Sequence, residues 1–440
     1  MSLYVFLSMT TLEKIYQYFL AARQTVSTDS RKIEQGCIFF ALKGENFNGN
    51  RYANDAIKSG AAYAVIDEEE FASTERTILV DDVLTTLQQL ALFHRKKLGI
   101  PILGITGTNG KTTTKELIAA VLAEKYKVSF TQGNLNNHIG VPLTLLKMDS
   151  NTEFGVVEMG ANHPGEIAQL CQIADPDFGI ITNVGKAHLE GFGSFEGVIK
   201  TKGELYDYMA KKSGVIFYNR NNTYLEELGK NIPNRISYGT TDAGFKGELL
   251  DSPPFVHLKV NFPKGVLYIN TKLIGNFNFE NVLAAACIGN FFEVDPLKIQ
   301  SAIKNYEPRN NRSQLIVKND LRIIMDAYNA NPTSMKASLD SFAANNPDSA
   351  YLILGDMLEL GEYSFDEHLS ILKTIREKAF QNVFLVGKEF ARANQNFDFP
   401  CFEKVDDLCQ LLEKDPIKNG NILIKGSRGI KLEKVLEYLN

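Results

Sequence analysis

The sequence predicts an α/β protein in three parts, with a mostly parallel sheet at its centre. Three observations point there. The chain has 440 residues, too long for one ordinary core, so two to four domains are expected. Short apolar runs alternate with segments of helical spacing, the pattern of parallel strands joined by crossover helices. One stretch, Pro101–Tyr126 (PILGITGTNGKTTTKELIAAVLAEKY), reads as strand, glycine-rich loop and helix in direct succession.

Residues 1–98 form a first unit. Thr11–Ala22 has helical spacing, and Cys37–Leu42 (CIFFAL) and Ala61–Ile66 (AAYAVI) read as strands. Lys43–Arg51 (KGENFNGNR) is rich in turn residues, and Asp81–Lys97 reads as a helix leading out. A second unit, residues 99–305, adds the strands Phe154–Met159, Phe178–Val184 and Ile216–Asn219. A β-like, proline-interrupted region from Ile236 to Leu273 follows, then a helix from near Asn278. A third, residues 306–440, restarts with strands at Leu321–Met325, Tyr351–Leu354, Val383–Val386 and Ile422–Ile424. Helical patterns at Ser334–Phe342, Phe365–Lys378 and Lys404–Lys414 separate them, a Rossmann-like outline without a glycine-rich dinucleotide fingerprint. The polar boundary Tyr306–Arg312 holds Pro308, as a linker should.

Composition narrows the function classes. Hydrophobic residues make up 44% of the chain and charged residues 22%, a globular balance. Net charge is −5 with no basic block, which argues against nucleic acid as a partner. No apolar run approaches the ~18 residues of a membrane span. The opening MSLYVFLSM is apolar but has no basic leader and no cleavage site, so no signal peptide is expected. Five scattered cysteines without a CxxC pair fit reduced thiols in the cytoplasm, not a disulfide frame or a zinc site.

The glycine-rich loop carries the chemistry. Ile102, Leu103 and Ile105 make the buried strand; Gly104, Gly107 and Gly110 allow a tight turn and close backbone approach. Lys111 and Thr112 then open a helix whose apolar face is Leu117, Ile118, Val121 and Leu122. Free N–H groups and the positive dipole end make such a helix start an anion site. The lysine suits outer phosphates and the hydroxyl a magnesium ion. The spacing is G-x-x-G-x-x-G-K-T rather than G-x-x-x-x-G-K-[ST], whose first glycine would fall at Ile105. A structural glycine turn is the alternative, and Lys-Thr directly after the third glycine argues against it.

Other candidates are weaker on residues alone. Glu158 ends a strand expected beside the loop strand, where a carboxylate can hold magnesium; a capping or salt-bridged glutamate is the alternative. His188 follows another strand end and reads equally as a surface histidine. Lys202, in KTKGELY, reads as a solvated lysine on a charged helix. The asparagines of GNLNNHIGVP could be amide donors near phosphate or turn residues. Asp326, in DAYNANPTSM, could accept from a ribose hydroxyl, with Thr333 or Ser334 as a plain helix cap. Lys425 and Ser427, in KGSRG, sit at a strand end or on a surface turn.

Together these stretches resemble the ATP-dependent Mur ligases of peptidoglycan synthesis over almost the whole chain. STDSRKIEQGCIFFALKGENFNGNRY is similar to the family's uridine-nucleotide domain. GITGTNGKTT, GNLNNHIGVP, VVEMGANHPGEI, ITNVGKAHLEGFGS and KTKGELY match the central domain in order and spacing, and DAYNANPTSM, LGDMLELGE and IKGSRG match the last. Within the family, GNLNN, EMGANHPGEI, YNANPTSM and GDMLELGE resemble the ligases that take D-alanyl-D-alanine. The DNPR motif of the preceding, tripeptide-forming ligase is absent.

The resemblance implies an ATP-dependent ligase joining D-alanyl-D-alanine to a UDP-N-acetylmuramoyl-tripeptide through an acyl phosphate. Its domains would be a UDP-muramyl-peptide domain (1–98), a P-loop ATP domain (99–305) and a Rossmann-like domain (306–440). Gly107, Thr108, Asn109, Gly110, Lys111, Thr112 and Thr113 would hold the ATP phosphates. Two Mg²⁺ ions would be held by Thr112, Glu158, His188 and a carbamylated Lys202, in the pattern K-x-x-[LI]-[FY]. Lys111, Glu158, His188 and Lys202 would thus be the catalytic set. Asn278 and Asn281 match the adenine-side motif G-x-x-N-x-x-N, with Phe277 where the family often has histidine. Arg312 and Asp326 would reach the phosphates and ribose. Ser30 and Arg31 would belong to the uridine-nucleotide site, Asn136, Asn137, Asn162 and His163 to the muramyl-peptide side, and Asn134 would also bind substrate. Asn329, Asn331, Ser334, Lys425 and Ser427 would face the dipeptide or the γ-phosphate. A cytoplasmic monomer without nucleic-acid partner or membrane span is expected. Rival readings are another amide ligase of the superfamily, such as a folylpolyglutamate synthetase, and a P-loop switch protein, for which no N/TKxD-type base motif is present.

Overall fold

The computed structural model describes residues 10–250, 254–309, 311–345 and 350–439. The apolar opening weighed above as a leader and Asn310 of the linker lie outside them. The chain packs as two compact units. One comprises Met1–Ile105, Tyr126–Gly160 and Glu166–Gly179; the other comprises Thr106–Lys125, Ala161–Gly165 and Ile180–Asn440.

In the first unit a four-stranded parallel sheet runs in the order Val26–Ser27, Ile38–Phe40, Tyr63–Ile66, Thr77–Leu79. Its core is Cys37, Phe39, Ala41, Ala53, Ala64 and Ile66, contributed by the two apolar runs of the sequence and the short helix Ala53–Lys58. The helix Thr11–Ala21 opens on a capping box, Thr10 with Glu13, so two orphan donors of its first turn are satisfied reciprocally. The helix Val83–Leu98 is capped by Asp82 and ended by Gly99 in the left-handed region. His94 on it is fully buried; its Nε2 lies 2.7 Å from the Met148 carbonyl, and the Tyr16 hydroxyl lies 3.3 Å from its Nδ1. This unit also holds the parallel strands Ile102–Thr106, Phe154–Glu158 and Val128–Phe130, with Glu158 opposite Ile105.

In the second unit the loop helix Lys111–Leu122 packs on the apolar helix Asn278–Phe291. Gly289 makes that approach possible, since a Cβ there would stand 2.4 Å from Val121. The strands Val215–Asn219, Arg235–Gly239 and Phe245–Leu250 are parallel, and Phe255–Phe262 and Gly265–Ile274 extend them antiparallel. The C-terminal sheet runs in the order Gln314–Lys318, Asp320–Asp326, Asn419–Lys425, Ala350–Gly355, Asn382–Val386, Cys401–Phe402. Only its first pair is antiparallel. The carboxyl ends of its central strands carry Asp326, Lys425 and Asp356, the position where open α/β sheets bind ligands.

The three-part α/β reading holds, with strands and helices where the long apolar runs place them. The strands Val26–Ser27, Gln314–Lys318 and Cys401–Phe402 were not anticipated. They are sheet edges, short or half-exposed, and carry no buried run that would signal a strand.

Candidate active site

The loop between the strand Ile102–Thr106 and its helix is braced on all sides. Gly107 has φ +140°, and a Cβ there would stand 2.1 Å from the Thr182 hydroxyl; Gly110, at φ +77°, caps the helix. Asn183 clamps the loop tip: its carbonyl accepts from Thr108 N–H at 2.9 Å and its side-chain oxygen from Asn109 N–H at 2.9 Å. Its amide nitrogen donates to the Asn109 carbonyl at 3.0 Å. The Thr182 hydroxyl donates to that same carbonyl at 2.7 Å, and Gly185 N–H to the Thr108 hydroxyl at 3.0 Å. Lys111 curls back, its Nζ donating to the carbonyls of Gly107 (2.7 Å) and Thr108 (3.0 Å). Thr112, Thr113 and Thr114 are buried in the first helical turn.

Asn278 and Asn281 are buried and form a relay into this turn. Asn278 donates to the Ile274 carbonyl (2.8 Å), Asn281 to Asn278 (2.9 Å), and the Thr114 hydroxyl to Asn281 (3.0 Å). A shallow cleft opens beside them, lined by Gly275, Phe277, Ser313, Asp326 and Ser338 among others. Phe277 is part of that lining, so the departure from histidine leaves an apolar residue there. Asp326 accepts from Ser313 N–H (3.2 Å) and the Ser338 hydroxyl (3.3 Å) and is paired with the buried Lys425.

The loop also meets the YNANPTS segment. Asn331 donates to the Asn109 side chain at 2.7 Å, while Asn331 and Ser334 cap one another. Lys186 N–H donates to the Thr333 hydroxyl at 3.0 Å, and Lys186 Nζ pairs with Glu367 at 2.6 Å. His188 Nδ1 lies 2.5 Å from the carboxylate of Glu359. That imidazole holds the Glu359 carboxyl below its usual range. Ser427 accepts from Leu358 N–H at 3.0 Å. Asn329 is exposed, its side-chain oxygen accepting from Ala330 N–H.

Lys202 overturns its surface reading. It is 2% exposed, with Nζ 3.3 Å from the Ala161 carbonyl and 5.0 Å from the centre of the Phe192 ring. The signal was available: Val198, Lys202, Leu205, Tyr206 and Met209 form one buried stripe of the helix Phe195–Lys212. Asn162 and His163 are exposed on the loop before the helix Glu166–Ala174.

In the first unit Glu158 is 1% exposed at its strand end and accepts from Asn136 at 2.8 Å. The three asparagines of GNLNN therefore divide their work. Asn136 holds Glu158, Asn137 accepts from Gly140 N–H at the start of the next helix, and Asn134 is exposed. Ser30 is half-buried. Arg31 is exposed and forks onto Asp29 through two 2.9 Å bonds, which holds the Asp29 carboxyl down at about 2. Among the described residues no three His, Cys, Asp or Glu side chains gather as a metal cage. Sequence reasoning missed Asn183, Glu359 and Glu367, whose partners lie far away in the chain.

A phosphate loop of this build, tied to a second α/β sheet, defines an ATP-handling ligase fold, and the chain belongs to the Mur ligase family. Family models match at residues 24–95 (Mur ligase family, catalytic domain), 105–289 (Mur ligase middle domain) and 311–428 (Mur ligase, glutamate ligase domain). The UDP-N-acetylmuramoyl-tripeptide–D-alanyl-D-alanine ligase of Bacillus subtilis is 36% identical over 96% of this chain and 94% of its own. A crystal structure of MurF from Acinetobacter baumannii matches with TM-score 0.84 and 27% identity, over 96% of this chain and 97% of the other. MurF from Thermotoga maritima, solved in complex with ADP, matches with TM-score 0.83 and 26% identity, over 95% and 97%.

Proposed function

We infer that the protein joins D-alanyl-D-alanine to a UDP-N-acetylmuramoyl-tripeptide, driven by ATP, giving the UDP-N-acetylmuramoyl-pentapeptide precursor of peptidoglycan. The observation that carries this is the near full-length likeness to ligases of that activity. The braced loop on which an ATP phosphate chain can rest supports it. The terminal carboxylate of the tripeptide attacks the γ-phosphorus of ATP, ADP leaves, and an acyl phosphate forms. The dipeptide amine attacks that carbonyl, loses a proton, and phosphate leaves from the tetrahedral intermediate. Phosphorylation is needed because a free carboxylate is a poor acylating agent.

Lys111 is the group that follows the phosphate charge, exchanging its two loop carbonyls for phosphate oxygens. Loop N–H groups between Gly107 and Thr113, other than those of Thr108 and Asn109 that Asn183 takes, cradle the rest of the chain of phosphates. The cleft at Gly275, Phe277 and Asp326 takes the adenosine, with its base against the Phe277 ring and its ribose toward Asp326. Asn278 and Asn281 act here by holding the helix start. Arg312 serves the γ-phosphate. Ser30 and Arg31 serve the uridine nucleotide; Asn134, Asn136, Asn137, Asn162 and His163 the muramyl peptide; Asn329, Asn331, Ser334, Lys425 and Ser427 the dipeptide end.

Magnesium, when bound, neutralises phosphate charge. Thr112, Glu158, His188 and Lys202 are the residues proposed to hold it. A hydroxyl and a carboxylate suit a hard cation that keeps water and phosphate ligands. Lys202 as an ammonium does not; its Nζ lies 3.3 Å from a carbonyl and over a ring face. It fits once its amine adds CO₂ and releases a proton, leaving a carbamate. A ¹³C signal from labelled bicarbonate, absent in Lys202→Ala, tests this apart from activity. The domain limits 1–98, 99–305 and 306–440, a monomeric state and a cytoplasmic location complete the proposal; among the described residues no helix is long and apolar enough to cross a membrane.

The reaction is tested by incubating the protein with ATP, UDP-N-acetylmuramoyl-tripeptide and D-alanyl-D-alanine. Phosphate release and the pentapeptide mass are expected together, each depending on all three substrates. No release with the full set overturns the assignment.

A further inference from the structure

Tyr328 follows the strand Asp320–Asp326 by two residues, and Arg428 follows Asn419–Lys425 by three. These strands are parallel neighbours in register at Asp326 and Lys425, so one sheet edge carries both. The guanidinium carbon of Arg312 lies 3.7 Å from the centre of the Tyr328 ring, and that of Arg428 lies 5.5 Å from it. Among the described residues neither guanidinium has a carboxylate within salt-bridge distance, whereas the neighbouring Lys425 is paired with Asp326. Two cations gathered on one ring with no counter-charge repel each other. A guanidinium is also the side chain best shaped to take an oxyanion through two parallel bonds. The arrangement is that of a receiver for two anions.

The ligase reaction, on whose assignment this inference rests, brings two anions to one place besides the nucleotide's inner phosphates. One is the transferred phosphate and the other is the free carboxylate of the incoming dipeptide. The two guanidinium carbons can be no farther apart than the sum of their distances to the ring, about 9 Å. An extended dipeptide spans about 7 Å, at ~3.3–3.6 Å per residue. A dipeptide whose amine attacks beside a phosphate held by Arg312 thus has its carboxylate within reach of Arg428. Arg428 is exposed, in the same turn as Ser427, and is free to take it.

We propose that Arg428, laid against Tyr328, binds the C-terminal carboxylate of the dipeptide and sets the preference for a free-acid acceptor. Tyr328 is its positioning residue. The test compares D-alanyl-D-alanine with D-alanyl-D-alanine amide, whose terminal carboxylate is a carboxamide. The wild type is expected to favour the free acid. Arg428→Ala is expected to raise KM for the free acid on the order of 10- to 100-fold, as loss of a charge-assisted bond does. It should leave KM for ATP unchanged and treat acid and amide alike. Arg428→Lys, which keeps the charge but not the fork, should fall between, and it serves if the alanine variant melts early. Tyr328→Phe, which keeps the ring face, should retain the preference, and Tyr328→Leu should weaken it. An Arg428→Ala enzyme that keeps the wild-type preference for the acid, or that shifts KM for ATP instead, overturns the inference. A wild type that makes no pentapeptide from either acceptor overturns the ligase assignment instead.

Discussion

The phosphate loop and the Ser30–Arg31 turn are both assigned to bind phosphorylated nucleotides, yet they are built in opposite ways. The backbone of the loop at Gly107–Gly110 is held by the protein itself, and only the Lys111 side chain must turn to meet phosphate. Thr182, Asn183 and Gly185 hold its backbone, and the relay from Asn278 through Asn281 to Thr114 holds the helix behind it. Among the described residues the Arg31 side chain is held by Asp29 alone, two residues away, and is 85% exposed. The difference follows from the task. A group that must meet charge as it develops gains from being fixed in advance, since no reorganisation is then needed at the moment of reaction. A group that only gathers substrate can reorient on binding.

Four experiments bear on that contrast. Lys111→Ala removes a side chain proposed to follow the transferred phosphate, and kcat should fall about a thousandfold in a phosphate-release assay with the fold intact. Gly107→Ala tests the backbone. It forces a Cβ to 2.1 Å from the Thr182 hydroxyl at φ +140°, and should cost about 2–4 kcal/mol in denaturant melts and abolish phosphate release. Asn109→Ala and Asn331→Ala, alone and together, form a cycle across the 2.7 Å bond. A coupling of about 0.5–1.5 kcal/mol in stability is expected, and additivity would show the bond to be idle. Arg31→Ala should raise KM for the UDP-muramyl-peptide roughly tenfold or less while leaving kcat alone. It should move stability by under about 0.5 kcal/mol, as an exposed pair does.

Acid separates the two kinds of construction in a further way. His94 and His368 are fully buried, and burial pushes both below their ordinary value of 6.5. His368 accepts from Met357 N–H at Nε2, and its Nδ1 lies 2.7 Å from the Ser364 carbonyl, as a neutral ring requires. The unfolded chain therefore binds protons that the folded one refuses. Stability is full above about pH 6.5 and declines as pH falls toward the lower folded values, by up to ~1.4 kcal/mol per pH unit per histidine. Thermal melts between pH 7.5 and 5.5 should show that loss, and His94→Gln should reduce its slope.

How far the chain could be read without coordinates depended on whether a residue's partners were local. The strand, loop and helix at Pro101–Tyr126 were legible because apolar run, glycines and lysine are contiguous. Glu158 was legible as a strand end. Lys202 was misread from its charged neighbours, because its buried stripe shows only when the helix Phe195–Lys212 is taken whole. Asn137 proved to be a cap and Asn136 a partner of Glu158, a division that spacing does not reveal. Glu359 beside His188, and Arg428 beside Tyr328, join segments far apart in the chain, and no local pattern announces such meetings.

The curl of Lys111 onto its own loop has a bearing on selectivity. Its Nζ donates to two loop carbonyls, and to bond phosphate oxygens it must give these up. On the proposed reading that exchange favours ligands with the most negative charge at the phosphate end, so ATP should bind more tightly than AMP.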